Sequence, residues 1–255
     1  MRSILATCKL SLLLLYTFTT YSIYLVGYVL FRLFRLPTEP CRNLFMRSWS
    51  FVMSRVLNVR IKTIGTPPKA PFFLVSNHLS YLDIVPLFLN LKCTFVAKKE
   101  VRSWPVLGFM VKSVGVIFID RTRNRDITRV NKILSNSLNI HQGMIIFPEG
   151  TTSPGKKVLP FRAPLLHFPS SNSIPVHYCS IRYETDQKKG DKHAEESVCF
   201  YGAREPIHVH LFKLASNKRV DCTIHFGNEP VISNDRKELS DELHKKVEAI
   251  FEPMD

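Results

Sequence analysis

The chain lacks the features of a metal module, a disulfide scaffold or a repeat protein. Its six cysteines (Cys8, Cys41, Cys93, Cys179, Cys199 and Cys222) are scattered, with no C-x-x-C pair and no zinc-like spacing. Several lie in apolar, strand-like runs, where a free thiol packs as a small hydrophobe. The expectation is a reducing compartment and no structural metal. No internal repeat and no low-complexity tract occurs, which excludes solenoids and composition-driven binders. There is no G-x-S-x-G elbow of the kind that exposes a nucleophilic serine. Acidic residues are sparse, at 21 Asp+Glu against 35 Lys+Arg, for a formal net charge of +14. The acids also cluster, with eight of them against four Lys/Arg between Glu229 and Asp255. The basic surplus therefore lies upstream, notably in 32–60 and 98–132, and suits a phosphate-rich partner: anionic lipid or nucleic acid.

At 255 residues the chain is one ordinary domain with an appendage. Leu10 to Phe31 is 22 residues without a charge, long enough to cross a hydrocarbon core. It is too long for a signal-peptide apolar region, and no small-residue cleavage site follows it. Its tyrosines (Tyr16, Tyr21, Tyr24 and Tyr28) and its Ser/Thr keep a re-entrant or interfacial helix open beside a spanning one. Basic residues flank both sides (Arg2 and Lys9; Arg32, Arg35, Arg42 and Arg47), so charge gives no orientation. Cys41 to Val59 then sets Phe45, Met46, Trp49, Val52, Met53, Val56 and Leu57 at helical spacing among arginines. That is a basic amphipathic helix, for core packing or for a membrane surface. Gly65-Thr66-Pro67-Pro68 closes this region. Two parts are expected: an N-terminal membrane-anchoring helical region over 1–65 and an α/β domain over 66–255.

The body alternates strand and helix patterns. Strands are predicted at Phe72–Ser76, Thr94–Ala97, Gly115–Asp120, Met144–Pro148, Ile174–Tyr183, Val198–Tyr201 and Asp221–Phe226. Amphipathic stripes run from Arg125 to Asn139 and from Asp235 to Phe251, and 186–197 reads as a polar loop. This order predicts an α/β fold with a largely parallel central sheet flanked by helices.

Three strand ends carry chemistry. Ser76-Asn77-His78-Leu79-Ser80-Tyr81-Leu82-Asp83 leaves one apolar run and enters a helix, the place where α/β folds bind ligands. There His78 is a candidate general base and Asp83 the acceptor that fixes its tautomer. A five-residue separation is poor for one helix face, so His78 must sit on the loop and Asp83 in the first turn. Ser80-x-x-Asp83 also fits a capping box, in which both side chains only satisfy helix N–H groups. The second strand end is Gly115-Val-Ile-Phe-Ile-Asp120-Arg121, whose guanidinium suits a phosphate. The third is Met144-Ile-Ile-Phe-Pro148-Glu149-Gly150-Thr151-Thr152-Ser153, with Glu149 to orient that Arg or a substrate hydroxyl and a Gly150 turn offering N–H groups to an anion. Ordinary strand-end punctuation is the alternative for each one taken singly.

Together these stretches resemble the glycerolipid acyltransferases, which include the 1-acyl-glycerol-3-phosphate and other lysophospholipid acyltransferases. Asn77, His78, Ser80 and Asp83 match that family's N-H-x-S-x-x-D in full. Gly115–Arg121 resembles the second motif, Phe147–Thr151 reads F-P-E-G-T, and Ile174-Pro175-Val176 resembles the late Pro motif. Ala97-Lys98-Lys99-Glu100 and Trp104–Gly108 are similar to the family's A-K-x-E and P-x-x-G stretch. The resemblance runs from about Phe72 to Phe226, in order.

The resemblance implies acyl transfer to a lyso-lipid hydroxyl from acyl-CoA or acyl carrier protein as co-substrate, with no cofactor and no metal. It implies His78 and Asp83 as the catalytic pair, and Arg121, Glu149, Gly150 and Thr151 as acceptor-binding residues. Partners would be the lysophospholipid, the acyl donor and anionic membrane lipids, and not nucleic acid; the site would face the cytoplasm from a membrane. Two departures bear on the acceptor. Thr152 stands where phosphatidic-acid-forming members commonly carry Arg, and Phe161-Arg162-Ala163-Pro164-Leu165 stands where they have F-K-x-G-A. Lysophosphatidic acid is the first expectation. Another lyso-lipid headgroup, or a Ser80-based membrane esterase, is the alternative.

Overall fold

The computed structural model describes residues 2–99, 102, 107–119, 133–202 and 205–254. Seven strands form one sheet: β1 (Val59–Ile64), β2 (Phe73–Ser76), β3 (Cys93–Lys98), β4 (Ile117–Ile119), β5 (Gly143–Ile146), β6 (Val176–Thr185) and β7 (Val220–Phe226). Their spatial order is β1-β7-β6-β2-β5-β3-β4. Every neighbouring pair is parallel except β6 with β7. The helices named here are α1 (Arg2–Leu33), α2 (Glu39–Leu57), α3 (Ile84–Asn90), α4 (Leu107–Ser113), α5 (His167–Ser171), α6 (Ala194–Ser197), α7 (Ile207–Ser216) and α8 (Arg236–Ile250). The fold is the α/β class expected, with a mostly parallel sheet between helices.

Every residue of β2 and β5 is buried, which is why both read as unbroken apolar runs instead of alternating ones. Their side chains still alternate between two cores. Phe73, Val75, Met144 and Ile146 pack with Leu239, Leu243 and Val247 of α8. Leu74 and Ile145 join Leu57 of α2 and Leu87 and Phe88 of α3 on the other face. The α8 helix starts firmly because Asp235 accepts the N–H groups of Lys237 and Glu238 at 2.7 and 2.9 Å.

Register positions the site. β2 and β5 pair Phe73 with Met144, Leu74 with Ile145 and Val75 with Ile146. The two chains therefore leave the sheet side by side at their carboxyl ends, one into Asn77-His78 and the other into Phe147-Pro148-Glu149. β6 flanks β2 on its other side, with Ser76 opposite Cys179.

Four expectations change. Val198–Tyr201 is not a strand; it follows α6 as coil, and its apolar Val198 and Cys199 are core residues without a ladder. The strand β1 was not foreseen, although Val59-Arg60-Ile61-Lys62-Thr63-Ile64 carries a period-two signal. It pairs in parallel with β7, so the sheet begins inside the stretch assigned to the helical anchor, before residue 66. The segment after Ser80 opens with a 3-10 turn, Tyr81–Asp83, before α3. The polar 186–197 stretch contains the turn Gln187–Lys189 and α6. Arg121 and most of the 125–139 stripe lie outside the described residues; 133–137 are helical.

α1 lies along the body. Ala6, Leu13, Tyr21 and Tyr24 are its buried residues, while Leu5, Leu12, Leu15, Phe18, Ile23 and Val26 are among its exposed ones. Bonds hold it to the body from its N-terminal end to Tyr24. Arg2 donates to the Gly190 carbonyl at 2.6 Å, and Lys9 to the carbonyls of Ala215 and Asn217 at 3.0 and 2.9 Å. Tyr24 donates to the Ser113 carbonyl at 2.7 Å. In α2, Arg47 and Arg55 are exposed but Arg42 is buried, bonded to Asn43 and Gln142. The basic face of α2 is thus narrower than its composition suggests.

Candidate active site

The site starts with an amide. Asn77 is buried, and its side chain pairs with one peptide unit of β6: the Ile181 N–H donates to Oδ1 at 2.7 Å, and Nδ2 donates to the Ile181 carbonyl at 2.9 Å. This double bond replaces the ladder that β2 loses beyond Ser76 and fixes the direction in which the chain leaves the sheet.

His78 follows on the loop and Asp83 sits in the 3-10 turn, the arrangement their spacing demanded. His78 Nδ1 lies 2.7 Å from Asp83 Oδ2. Oδ2 also accepts the N–H groups of Leu79 and Ser80 at 2.8 and 3.1 Å, and Oδ1 accepts the Tyr183 hydroxyl at 3.0 Å. With donors converging on a fully buried carboxyl group, Nδ1 carries the proton, and in the neutral ring Nε2 holds the lone pair. The His78 side chain is 23% exposed, and its Nε2 has no hydrogen-bond partner among the described residues. The ring stacks on Phe147 at 3.9 Å between centroids, 11° from parallel, and Phe147 stacks in turn on Phe95 at 5.9 Å. Its plane is therefore set by packing as well as by Asp83.

Asp83 and Ser80 stand in the expected capping-box arrangement, each side chain set against the other's backbone N–H, though only the Asp83 half makes a well-formed hydrogen bond. Asp83 accepts the Ser80 N–H, while Ser80 Oγ makes no cap hydrogen bond and is buried without a partner.

Glu149 reaches the same place from β5. Its Oε1 accepts the His78 N–H at 3.3 Å, and the Ser153 N–H donates to the His78 carbonyl at 2.9 Å, so the two loops are stitched together. Glu149 is buried, and its Oε2 has no hydrogen-bond partner among the described residues. Burial pushes its carboxyl up to about 8, and the nearby Asp83 adds to this; N–H bonds from His78 and Leu159 pull the other way. Gly150 takes φ of +73°, where a side chain would be strained, and its N–H bonds the Phe147 carbonyl at 3.1 Å. That N–H closes the turn. Thr151 is exposed beside it.

Of the residues singled out from sequence, His78, Asp83, Glu149 and Gly150 come together here, and Arg121 is outside the described residues. Tyr183 was missed. A tyrosine in a buried strand gives no signal of its own that it will meet a carboxylate 100 residues away. Among the described residues no group of three His, Cys, Asp or Glu could hold a metal ion.

The Acyltransferase family model matches residues 58–182, from the edge of β1 into β6, and so takes in His78, Asp83 and Glu149. The 1-acyl-sn-glycerol-3-phosphate acyltransferase of Neisseria gonorrhoeae is 31% identical over 192 residues, 73% of each chain. The lyso-ornithine lipid O-acyltransferase of Brucella abortus is 29% identical over 229 residues, 86% of this chain and 82% of that one. The crystal structure of the 1-acyl-sn-glycerophosphate (LPA) acyltransferase of Thermotoga maritima shares the fold, with a TM-score of 0.62 over 98% of this chain and 97% of that one at 23% identity. The strand-end motifs and these likenesses agree: the chain is an O-acyltransferase of the lysophospholipid and glycerolipid acyltransferase family.

Proposed function

We propose that this enzyme moves a fatty acyl group from acyl-CoA, or acyl carrier protein, to the free hydroxyl of 1-acyl-glycerol-3-phosphate, giving phosphatidic acid. The observation that carries the mechanism is the His78–Asp83 pair, with Nδ1–H held on Oδ2 at 2.7 Å and Nε2 unbonded among the described residues on a part-exposed ring. Nε2 takes the proton of the acceptor hydroxyl as its oxygen attacks the thioester carbonyl. The tetrahedral intermediate collapses, the C–S bond breaks, and the imidazolium returns its proton to the departing thiolate. Asp83 holds the ring and stabilises its charged form. The acceptor is itself the nucleophile, so no acyl-enzyme is needed.

The esterase alternative needs Ser80 as nucleophile. Its Oγ is fully buried and unbonded to His78, which argues against it. Glu149, largely neutral at pH 7, can bond a headgroup hydroxyl without repelling a phosphate. Arg121 remains the proposed phosphate anchor on the strength of its motif. If so, Arg121→Ala raises KM for a phosphate-bearing acceptor about ten- to a hundred-fold and leaves that for acyl-CoA little changed.

A second acceptor class has specific support. The matched lyso-ornithine lipid O-acyltransferases of Brucella abortus and Pseudomonas aeruginosa align over 86% and 84% of this chain, against 73% for the Neisseria relative. Thr152 also replaces the Arg common in phosphatidic-acid-forming members. Purified enzyme with labelled acyl-CoA and a panel of lyso-lipids tests the choice. Transfer to lysophosphatidic acid is expected. Transfer only to another lyso-lipid reverses the ranking, and hydrolysis without transfer overturns the reaction.

We read α1 with α2 as the membrane anchor, lying in the interface. Its bonds to the body run from Arg2 to Tyr24, about 33 Å of helix, so upright insertion would drag the domain into hydrocarbon. On this reading the site faces the cytoplasm, where the soluble donor is.

A further inference from the structure

We infer that Tyr183 is a positioning residue for the transfer, acting on His78 only through Asp83. This rests on the assignment of His78 and Asp83 proposed above. Tyr183 lies one residue beyond the matched family segment, so the family match does not point to it.

The two oxygens of Asp83 are served differently. Oδ2 takes three donors, the His78 ring and two N–H groups of its own turn. Those three are all local, within five residues of one another in sequence. Oδ1 takes one donor, and that donor comes from the sheet. Local bonds can hold one oxygen while the carboxyl plane still turns about it. A second anchor on the other oxygen stops that rotation and fixes the direction in which Oδ2 faces Nδ1.

β6 is well placed to supply that anchor. Two residues before Tyr183, the Ile181 peptide grips Asn77 through both its groups, so one strand holds the loop at Asn77 and the turn at Asp83. Tyr183 opposes Cys222 in the β6–β7 ladder and is 1% exposed, so its backbone and ring cannot follow a moving turn. Burial, with Asp83 beside it, drives the phenol well above its usual range. The hydroxyl stays a donor at every working pH, and it neither takes nor gives a proton in the cycle.

The sign of its effect on pH dependence follows. A donor on Oδ1 draws charge away from Oδ2. Without it, the carboxylate favours the charged imidazole more strongly, and a higher pH is needed to free Nε2 as a base.

Tyr183→Phe in the full-length enzyme, assayed with acyl-CoA and the best acceptor of the panel, should lower kcat about tenfold. KM for both substrates should stay within about twofold, and the acid limb of kcat/KM should move to higher pH. In an Asp83→Asn background the same change should cost nothing further, since its only route is gone. Should Tyr183→Phe fail to fold, 3-fluorotyrosine at position 183 keeps the ring and strengthens the donor, and must move the acid limb to lower pH. A folded Tyr183→Phe enzyme with parental kcat and pH profile overturns the inference, as does an equal further loss in Asp83→Asn or an unmoved limb with fluorotyrosine. His78→Ala separates the two levels. If it keeps turnover, the His78 assignment and this inference fall together; if it is inactive while Tyr183→Phe is unchanged, only the role of Tyr183 falls.

Discussion

Two histidines are bonded to the same three-residue turn, and they are built in opposite ways. His78 holds Asp83 through Nδ1, and its Nε2 is unbonded among the described residues on a part-exposed ring. His210, on α7, has both nitrogens engaged: the Tyr81 hydroxyl lies 2.8 Å from Nδ1 and the Cys199 carbonyl 3.0 Å from Nε2. A carbonyl only accepts, so Nε2–H donates and Nδ1 accepts from Tyr81. The tautomer is the reverse of that in His78. His210 is 1% exposed, and burial lowers its pKa; Lys213 adds to this, while Glu205 and the Cys199 carbonyl oppose it. On the proposed mechanism the first ring exchanges a proton. The other is a strut, and spacing alone would not have told them apart.

The comparison breaks first at His78. His78→Ala should lower kcat by about 10²–10⁴-fold while the melting temperature changes little, because a part-exposed ring with one bond contributes little to stability. If purified His78→Ala turned over near the parental rate, the contrast with His210 would have no meaning. Asp83→Asn comes next, with a loss of similar order from a mis-set tautomer. It should also lower stability by about 1–3 kcal/mol, since a fully buried group with four donors loses acceptor capacity; urea unfolding would measure this.

His210→Phe inverts the pattern. Turnover should stay within a few-fold, while stability falls by about 1–3 kcal/mol as the Tyr81 hydroxyl and the Cys199 carbonyl lose their partner. The parent carries a pH signature here. The folded state resists protonating His210, so its stability is complete above about pH 6.5 and declines as pH falls below that. His210→Phe should unfold with a shallower acid dependence between pH 5 and 7.

Glu149 supplies the opposite slope. Its folded value near 8 exceeds its unfolded one of 4.5, so the folded state keeps a proton that the unfolded chain has released. Stability from this group is present below pH 4.5 and is lost as pH rises toward 8. Glu149→Gln should flatten that decline, as unfolding across pH 5–8 would show. Ser80→Ala is the smallest expected effect. Its Oγ makes no hydrogen bond among the described residues, so stability should change by less than about 1 kcal/mol and turnover should persist. A covalent acyl group found on Ser80 by mass spectrometry would contradict both.

Much of this architecture was legible because β2 and β5 are apolar throughout and end in charge. A fully buried strand cannot accommodate His78 or Glu149, so both had to lie at its mouth. The His78–Asp83 contact was legible as well, since five residues can close only across a loop and a turn. β1 went unread although it alternates, because it follows directly on α2 and that helix's apolar pattern runs to Val59. Val198–Tyr201 resembles a strand by composition alone. Val198 and Cys199 are buried in the core without a ladder, and composition cannot distinguish a buried coil from a buried strand.

The order of apolar runs and motifs along the chain was enough for the class of fold and the family, and the loop-and-turn geometry that joins His78 to Asp83 was legible because its residues are near one another in the chain. Tertiary structure alone decided which oxygen of Asp83 faces which donor, that Tyr183 completes the carboxylate from 100 residues away, and that Glu149 is buried enough to keep its proton. It also laid α1 along the body. Those outcomes depend on strand register and on exclusion of water, and both are properties of the whole sheet, which no local stretch contains.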